Sequence, residues 1–292
     1  MSVEPWSRRP RHCDSRTVIV NGDRHVGYLT HGPVGAGRET GRMPPRRVRL
    51  TPAGWVALGV AGVLVVGLVV VAVVRLTGSP DCTVQAHGRT VDLHQAEAER
   101  AATAVASVVR RGEGVAAARA AVAATLSTSR GDTQVVADAL TGRAAAALSC
   151  RHGGSSTPES DRLDPNGLTG RAEAVRQDVL TAFGPLPLGG FAPGGVHSGH
   201  MPGSAHYEGR AVDVFFRPMN PSNRQRGWAL AQYLVARAAR LSIDTVIFDA
   251  RIWTARRADE GWRGYHVDPA GKSPDVVRVL DHRDHVHVDV AD

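Results

Sequence analysis

Ala53–Val74, AGWVALGVAGVLVVGLVVVAVV, is a run of 22 residues without a single charge. At 1.5 Å of rise per residue a helix of this length spans roughly 33 Å, close to the hydrocarbon thickness of a bilayer. The run is apolar on every side, unlike an amphipathic surface helix. It is longer than the apolar region of a signal peptide, and Arg75-Leu76-Thr77 follows where a small-residue cleavage site would stand. We therefore read 53–74 as one transmembrane helix. Arg42, Arg46, Arg47 and Arg49 crowd its N-terminal side and only Arg75 sits close on the other. The positive-inside rule then keeps the N-terminus in the cytoplasm and exports everything after the helix. The expected location is the cell membrane, single-pass, with an extracytoplasmic C-terminal portion.

Charge supports this division. Residues 1–52 hold ten Arg against four acids, a net of +6 out of the chain's +7, which leaves +1 for the remainder. A nucleic-acid-binding domain carries its positive charge on the folded part, so no nucleic acid partner is expected. The 1–52 tail has weak apolar periodicity and reads as a disordered cytoplasmic segment. Met43, which begins a sufficient basic flank of its own (MPPRRVRL), is a second possible start.

Of the three cysteines, Cys13 falls inside the membrane boundary while Cys82 and Cys150 fall outside, where thiols oxidise. The region between them, 80–150, reads as helices. Ala101, Val105 and Val108 recur at helical spacing, Gly112 and Gly114 interrupt, and Val115–Leu126 and Val135–Leu148 resume. The segment is so rich in Ala that its core must be thin. A Cys82–Cys150 disulfide would close it and stabilise it by about 4 kcal/mol in the chain-entropy estimate. No catalytic constellation is visible there, and a stalk or spacer is the expected role. RHGGSSTPESDRLDPN (151–166) has linker composition, and a second exported domain is expected over 167–292.

In that last domain the histidines are grouped. In DHRDHVHVDV, His285, His287 and Asp289 alternate with Val286, Val288 and Val290. In a strand, alternate side chains share a face, so the valines enter the core and both imidazoles face one open side. In GHMPGSAHYEGRAVDVFF, glycines punctuate a loop that feeds a strand over 211–216. His206 on the loop and Asp213 on the strand can converge, and Asp213 on an apolar strand is costly unless paired or ligated. Two histidines and an aspartate with a fourth position open is the pattern of a catalytic zinc site. His285, beside His287 on the same face, is placed to accept or donate a proton. Spacing alone does not rank the histidines or remove His197 and His200 from consideration. Competing readings make His197, His200, His266 and His282 exposed loop residues and give Asp213 an arginine partner.

Ser204-Ala205-His206-Tyr207-Glu208-Gly209-Arg210-Ala211-Val212-Asp213 matches the SxHxxGxAxD motif of D-alanyl-D-alanine metallopeptidases. Together with His285-x-His287, residues 167–292 resemble the superfamily of lysostaphin-type, D-Ala-D-Ala and Sonic hedgehog zinc proteins. The resemblance implies an α+β fold with an antiparallel sheet carrying the site. It implies Zn²⁺ on His206, Asp213 and His287, with His285 assisting catalysis and Ser204 and Gly209 supporting the loop. The second motif departs from the Glu-x-x-His of vancomycin-resistance-type carboxypeptidases. His-x-His resembles the penicillin-insensitive murein endopeptidases instead, which leaves carboxypeptidase or endopeptidase open. Further helices are expected at Leu168–Phe183 and Ser222–Leu241, and a strand at Thr245–Asp249. Arg251–Arg263, with Trp253, Arg256, Arg257 and Trp262, is either a substrate wall or ordinary loop packing. The whole reads as a membrane-anchored metallopeptidase acting on peptidoglycan stem peptides. The other reading is an inactive zinc-binding module that holds cell-wall peptide or a partner protein.

Overall fold

A three-stranded sheet opens the continuously described part of the chain. The computed structural model describes residues 80–292 and isolated positions between 52 and 66. The expected tail, Cys13 and most of the apolar run lie outside the described residues. Among the described residues no helix is long and apolar enough to cross a membrane.

Strands β1 (Cys82–Ala86) and β2 (Arg89–Leu93) form a hairpin through a His87-Gly88 turn. Helices α1 (Gln95–Arg110), α2 (Val115–Thr125) and α3 (Arg130–Leu140) follow, and β3 (Leu148–Cys150) returns to pair with β1. Cys82 and Cys150 are register partners and are joined by a disulfide. The hairpin stands where the sequence reads as helical, and 141–148 does not continue the last helix. α3 stops at Leu140, ahead of Gly142, and Leu148 lies in β3.

The second part opens with α4 (Gly170–Phe183). Next come β4 (Leu188–Gly189), β5 (Ala211–Phe215), α5 (Pro221–Ala236), α6 (Ala238–Leu241), β6 (Ile243–Phe248), β7 (Arg251–Thr254), β8 (Arg263–Gly264), α7 (Pro274–Leu280) and β9 (His285–Val290). The strands make one sheet in the order β4-β5-β9-β6-β7-β8, antiparallel at every pairing. Asn220 caps α5 by accepting from the Asn223 amide at 2.9 Å, and Pro221 occupies the first turn, where no amide is needed. Val212, Val214, Val246, Val286, Val288 and Val290 are all buried, and the apolar face they give the sheet packs against α4 and α5.

The Ala-rich module is not held apart as a spacer. It packs on the C-terminal part, and residues 80–292 belong to one compact unit. The physical reason lies in α5, which is buried at every position from Gly227 to Ala236. A helix apolar all round needs cover on both sides; the sheet covers one and the module the other. Gln232 sits fully buried in this seam. Its carbonyl accepts from the amides of Ala147 and Leu148 at 2.9 Å each, and its amide donates to Ala139 O at 2.7 Å and Ala144 O at 3.0 Å. The tryptophans of 251–263 face the same way. Trp253 Nε1 donates to Ser149 Oγ and Trp262 Nε1 to Leu148 O. Of the two readings of that segment, packing is the one the structure displays. Residues 151–166 also adhere, with Gly154 N donating to Ile243 O and Arg171 reaching Ser155 and Thr157.

Residues 167–292 alone are thus expected to be unfolded, while 80–292 should melt in one cooperative transition by circular dichroism. Gln232→Ala removes four hydrogen bonds, takes the acceptor from the buried amides of Ala147 and Leu148, and should lower stability in urea by about 2 kcal/mol.

Candidate metal centre

The register of two central strands builds the site. β5 and β9 pair so that Asp213 stands directly opposite His287, with Ala211 opposite Asp289 and Phe215 opposite His285. Since side chains alternate, the buried valines fix the other set, His285, His287, Asp289 and Asp213, on the face away from α5. His206 arrives from the loop side, on a short 3₁₀ turn (Ala205–Glu208) whose His206 amide donates to Ser204 Oγ. The turn ends on Gly209 at φ 67°, where a Cβ would lie 2.5 Å from Leu163 and 2.7 Å from Gly167 O. Only glycine lets the chain double back into β5 there.

Three donor atoms converge. His206 Nε2 is 3.0 Å from His287 Nδ1, His287 Nδ1 is 3.0 Å from Asp213 Oδ1, and His206 Nε2 is 3.3 Å from Asp213 Oδ1. An ion bound tetrahedrally at roughly 2.0–2.1 Å would set its ligand atoms roughly 3.3 Å apart, so the triangle fits one corner-sharing metal. The outer ring nitrogens are engaged elsewhere. His206 Nδ1 donates to Gly190 O at 2.7 Å, and His287 Nε2 makes a bent 2.7 Å contact with Asp289 Oδ1. Such outer partners fix which nitrogen is free to ligate. His200 also contributes. Its ring stacks on His206 with centroids 3.9 Å apart, and His200, His206 and Asp213 each offer a ligand atom within 4.8 Å of the others. The cluster is therefore a candidate metal-binding group on its chemistry.

Burial opposes the charge on Asp213, but hydrogen bonds from His206 and His287 hold its carboxyl well below the usual range. Burial likewise opposes a charge on His287, yet Asp289 and Asp213 outweigh it and raise its pKa to about 10. In the metal-free protein a proton on His287 thus carries the positive charge that two carboxylates demand.

His285 lies one step along the face. Its Nε2 is 3.7 Å from Asp213 Oδ1, and its Nδ1 donates to Asp284 Oδ1 at 2.7 Å. Burial disfavours ionised Asp284, but the His285 hydrogen bond and Arg217 keep its carboxyl below the ordinary value. His282, read from sequence as an exposed loop residue, is instead largely enclosed. Its ring is 4.7 Å from that of His285, and burial with its charged neighbours pushes its pKa down to about 3. His197 and His266 are exposed and outside the cluster. The signal for His282 was present in its place three residues before His285, but nothing in the spacing separated it from a loop. A cleft of about 950 Å³ opens over the cluster, walled by Gly199–Ala205 on one side and by Tyr265, Val279, Leu280 and His282 on the other. Trp253, Arg256, Arg257 and Trp262 do not line it. Asp213 has histidine partners, not an arginine.

Residues 164–274 match the family described as VldE, C-terminal domain, a stretch that includes His206 and Asp213 and stops before His285 and His287. Neither the curated proteins nor the solved structures provide a match to the chain.

Gly190 supplies a direct test of the centre. At φ 80°, a Cβ on it would lie 2.2 Å from His206 Cε1. Gly190→Ala is expected to leave the fold intact and to weaken divalent metal binding by tenfold or more, about 1.4 kcal/mol, in a metal titration. A raised His287 pKa means that metal must displace a proton, so calorimetry in buffers of different ionisation enthalpy should show proton release near neutral pH, with affinity falling as pH is lowered.

Proposed function

We propose that this chain is a zinc-dependent peptidase, tethered to the cell membrane, that hydrolyses peptide bonds of peptidoglycan stem peptides on the outer face. The observation that carries this reading is the triangle of His206 Nε2, Asp213 Oδ1 and His287 Nδ1 with His285 Nε2 beside it. Three protein donors facing an open cleft leave a position for water and substrate, as catalytic centres do and closed structural ones do not. Neutral imidazoles and a carboxylate suit zinc among the divalent ions. The SxHxxGxAxD motif and the following His-x-His support a D,D-carboxypeptidase or endopeptidase, and the apolar run at 53–74 supports delivery of the site to wall material.

A zinc ion held by these residues would supply Lewis acidity and an activated water. The chain's own part is proton handling and alignment. His285, its Nδ1 proton committed to Asp284, presents Nε2 to the cleft. That nitrogen can take a proton from the attacking water and return it to the departing amine. Asp213 and Asp289 stabilise positive charge at the centre, and the cleft walls hold an extended peptide across it. Water adds to the carbonyl carbon, the C–N bond breaks, and the products are a carboxylate and an amine.

The metal-loaded full chain in detergent is expected to release free amines from muropeptides, and a chelator should abolish the release. His285→Ala should retain its metal and lose on the order of 10²-fold or more in kcat/KM. Stoichiometric metal with peptide binding and no turnover would leave a binding module and end the peptidase reading.

A further inference from the structure

Asp284 takes no part in the ligand triangle, yet it is 1% exposed and both its oxygens are committed. Oδ1 accepts from His285 Nδ1 at 2.7 Å, and Oδ2 accepts from Arg217 Nε at 2.7 Å and lies 2.6 Å from Arg217 Nη2. Arg217 is itself fixed, with its guanidinium 4.3 Å over the ring of Phe215. Phe215 is the cross-strand partner of His285, and Phe216 N donates to Asp284 O at 2.8 Å. Two strands therefore lock this carboxylate against one ring nitrogen of one histidine.

We propose that Asp284, clamped by Arg217, is the positioning residue that holds His285 in its Nδ1–H tautomer and so turns a lone pair on Nε2 toward the ligand triangle. The chemistry of the donors requires this arrangement. Arg is a donor only and cannot be deprotonated, so the carboxylate between Arg217 and His285 accepts from both sides. The neutral imidazole must place its proton on the side of Asp284. Nε2 is then left as an acceptor facing Asp213 Oδ1 at 3.7 Å. Of the imidazoles at the centre, His206 answers to Gly190 O, His287 to Asp289 and His285 to Asp284. Each has a separate group for the ring nitrogen that does not face the cleft.

The kinetic part of the test rests on the peptidase reading, and the spectroscopic part does not. Asp284→Asn is isosteric and reverses the logic. Arg217 can only donate, so the new amide turns its carbonyl to Arg217 and its NH₂ to His285 Nδ1, which forces the imidazole proton onto Nε2. In the metal-loaded full chain, ¹⁵N spectra should show His285 protonated at Nδ1 in the wild type and at Nε2 in Asp284→Asn. kcat should fall on the order of 10²–10⁴-fold with KM within about twofold and metal content unchanged. Arg217→Gln, at a side chain 57% exposed, is expected to fold as the wild type does. It should cost about tenfold in kcat without inverting the tautomer, because the carboxylate remains. An unchanged His285 tautomer in Asp284→Asn, or a kcat within about threefold of wild type, overturns the proposal. A wild-type chain that hydrolyses nothing while the tautomer still inverts upholds the positioning role and removes only the peptidase reading.

Discussion

The pairing of Asp213 with His287 across β5 and β9 is the interaction on which the rest depends. A carboxylate this deeply buried costs several kcal/mol unless positive charge sits against it. Asp213 is kept ionised by the imidazoles around it, so the most expensive group in the sheet is also the one that defines the centre. Strand register places it, since a slip of one residue would send Asp213 and both histidines into the valine core. The valines that forbid such a slip are themselves buried under α4 and α5.

That support continues outward. α5 is buried over its whole circumference through Gly227–Ala236, and the disulfide-closed module gives it a second wall. Gln232 ties that wall to α5 through four hydrogen bonds of 3.0 Å or shorter. The Ala-rich segment contributes no side chain to the cleft, yet the geometry of the centre depends on it. Small side chains suit this task, because alanine faces allow close approach of helices where bulkier residues would hold them apart.

What was legible in the sequence was periodic or locally dense. HVHVDV declares its two faces by alternation, and SAHYEGRAVD carries its own turn. Three things were not legible, for separable reasons. The β1–β2 hairpin has the alternation Thr83, Gln85 against Cys82, Val84 and a His87-Gly88 turn, but five-residue strands leave a weak signal beside three long helices. The docking of the module on α5 is a matter of long-range packing between faces of low contrast, which no local pattern encodes. The enclosure of His200 and His282 is set by the loops around them. His200 is drawn in by Tyr207, whose hydroxyl donates to its carbonyl at 2.5 Å and accepts from its amide at 3.0 Å.

The strand geometry also explains why two histidines of one His-x-His pair do different work. Residues two apart on a strand stand roughly 6.5–7 Å from each other, so both cannot reach one point with the same atom. His287 lies directly opposite Asp213 and meets it with Nδ1, the nitrogen nearer the backbone. His285 is offset by two residues and reaches inward with the distal Nε2, stopping 3.7 Å from Asp213 Oδ1. The outer nitrogens are correspondingly opposite, Nε2 of His287 toward Asp289 and Nδ1 of His285 toward Asp284. Each carboxylate is placed to suit the nitrogen that the strand leaves over. A histidine pair on adjacent turns of a helix would present both rings at similar depth and favour two ligands. On a strand, the same pair divides into one residue that completes the donor triangle and one that stays beside it with a free lone pair.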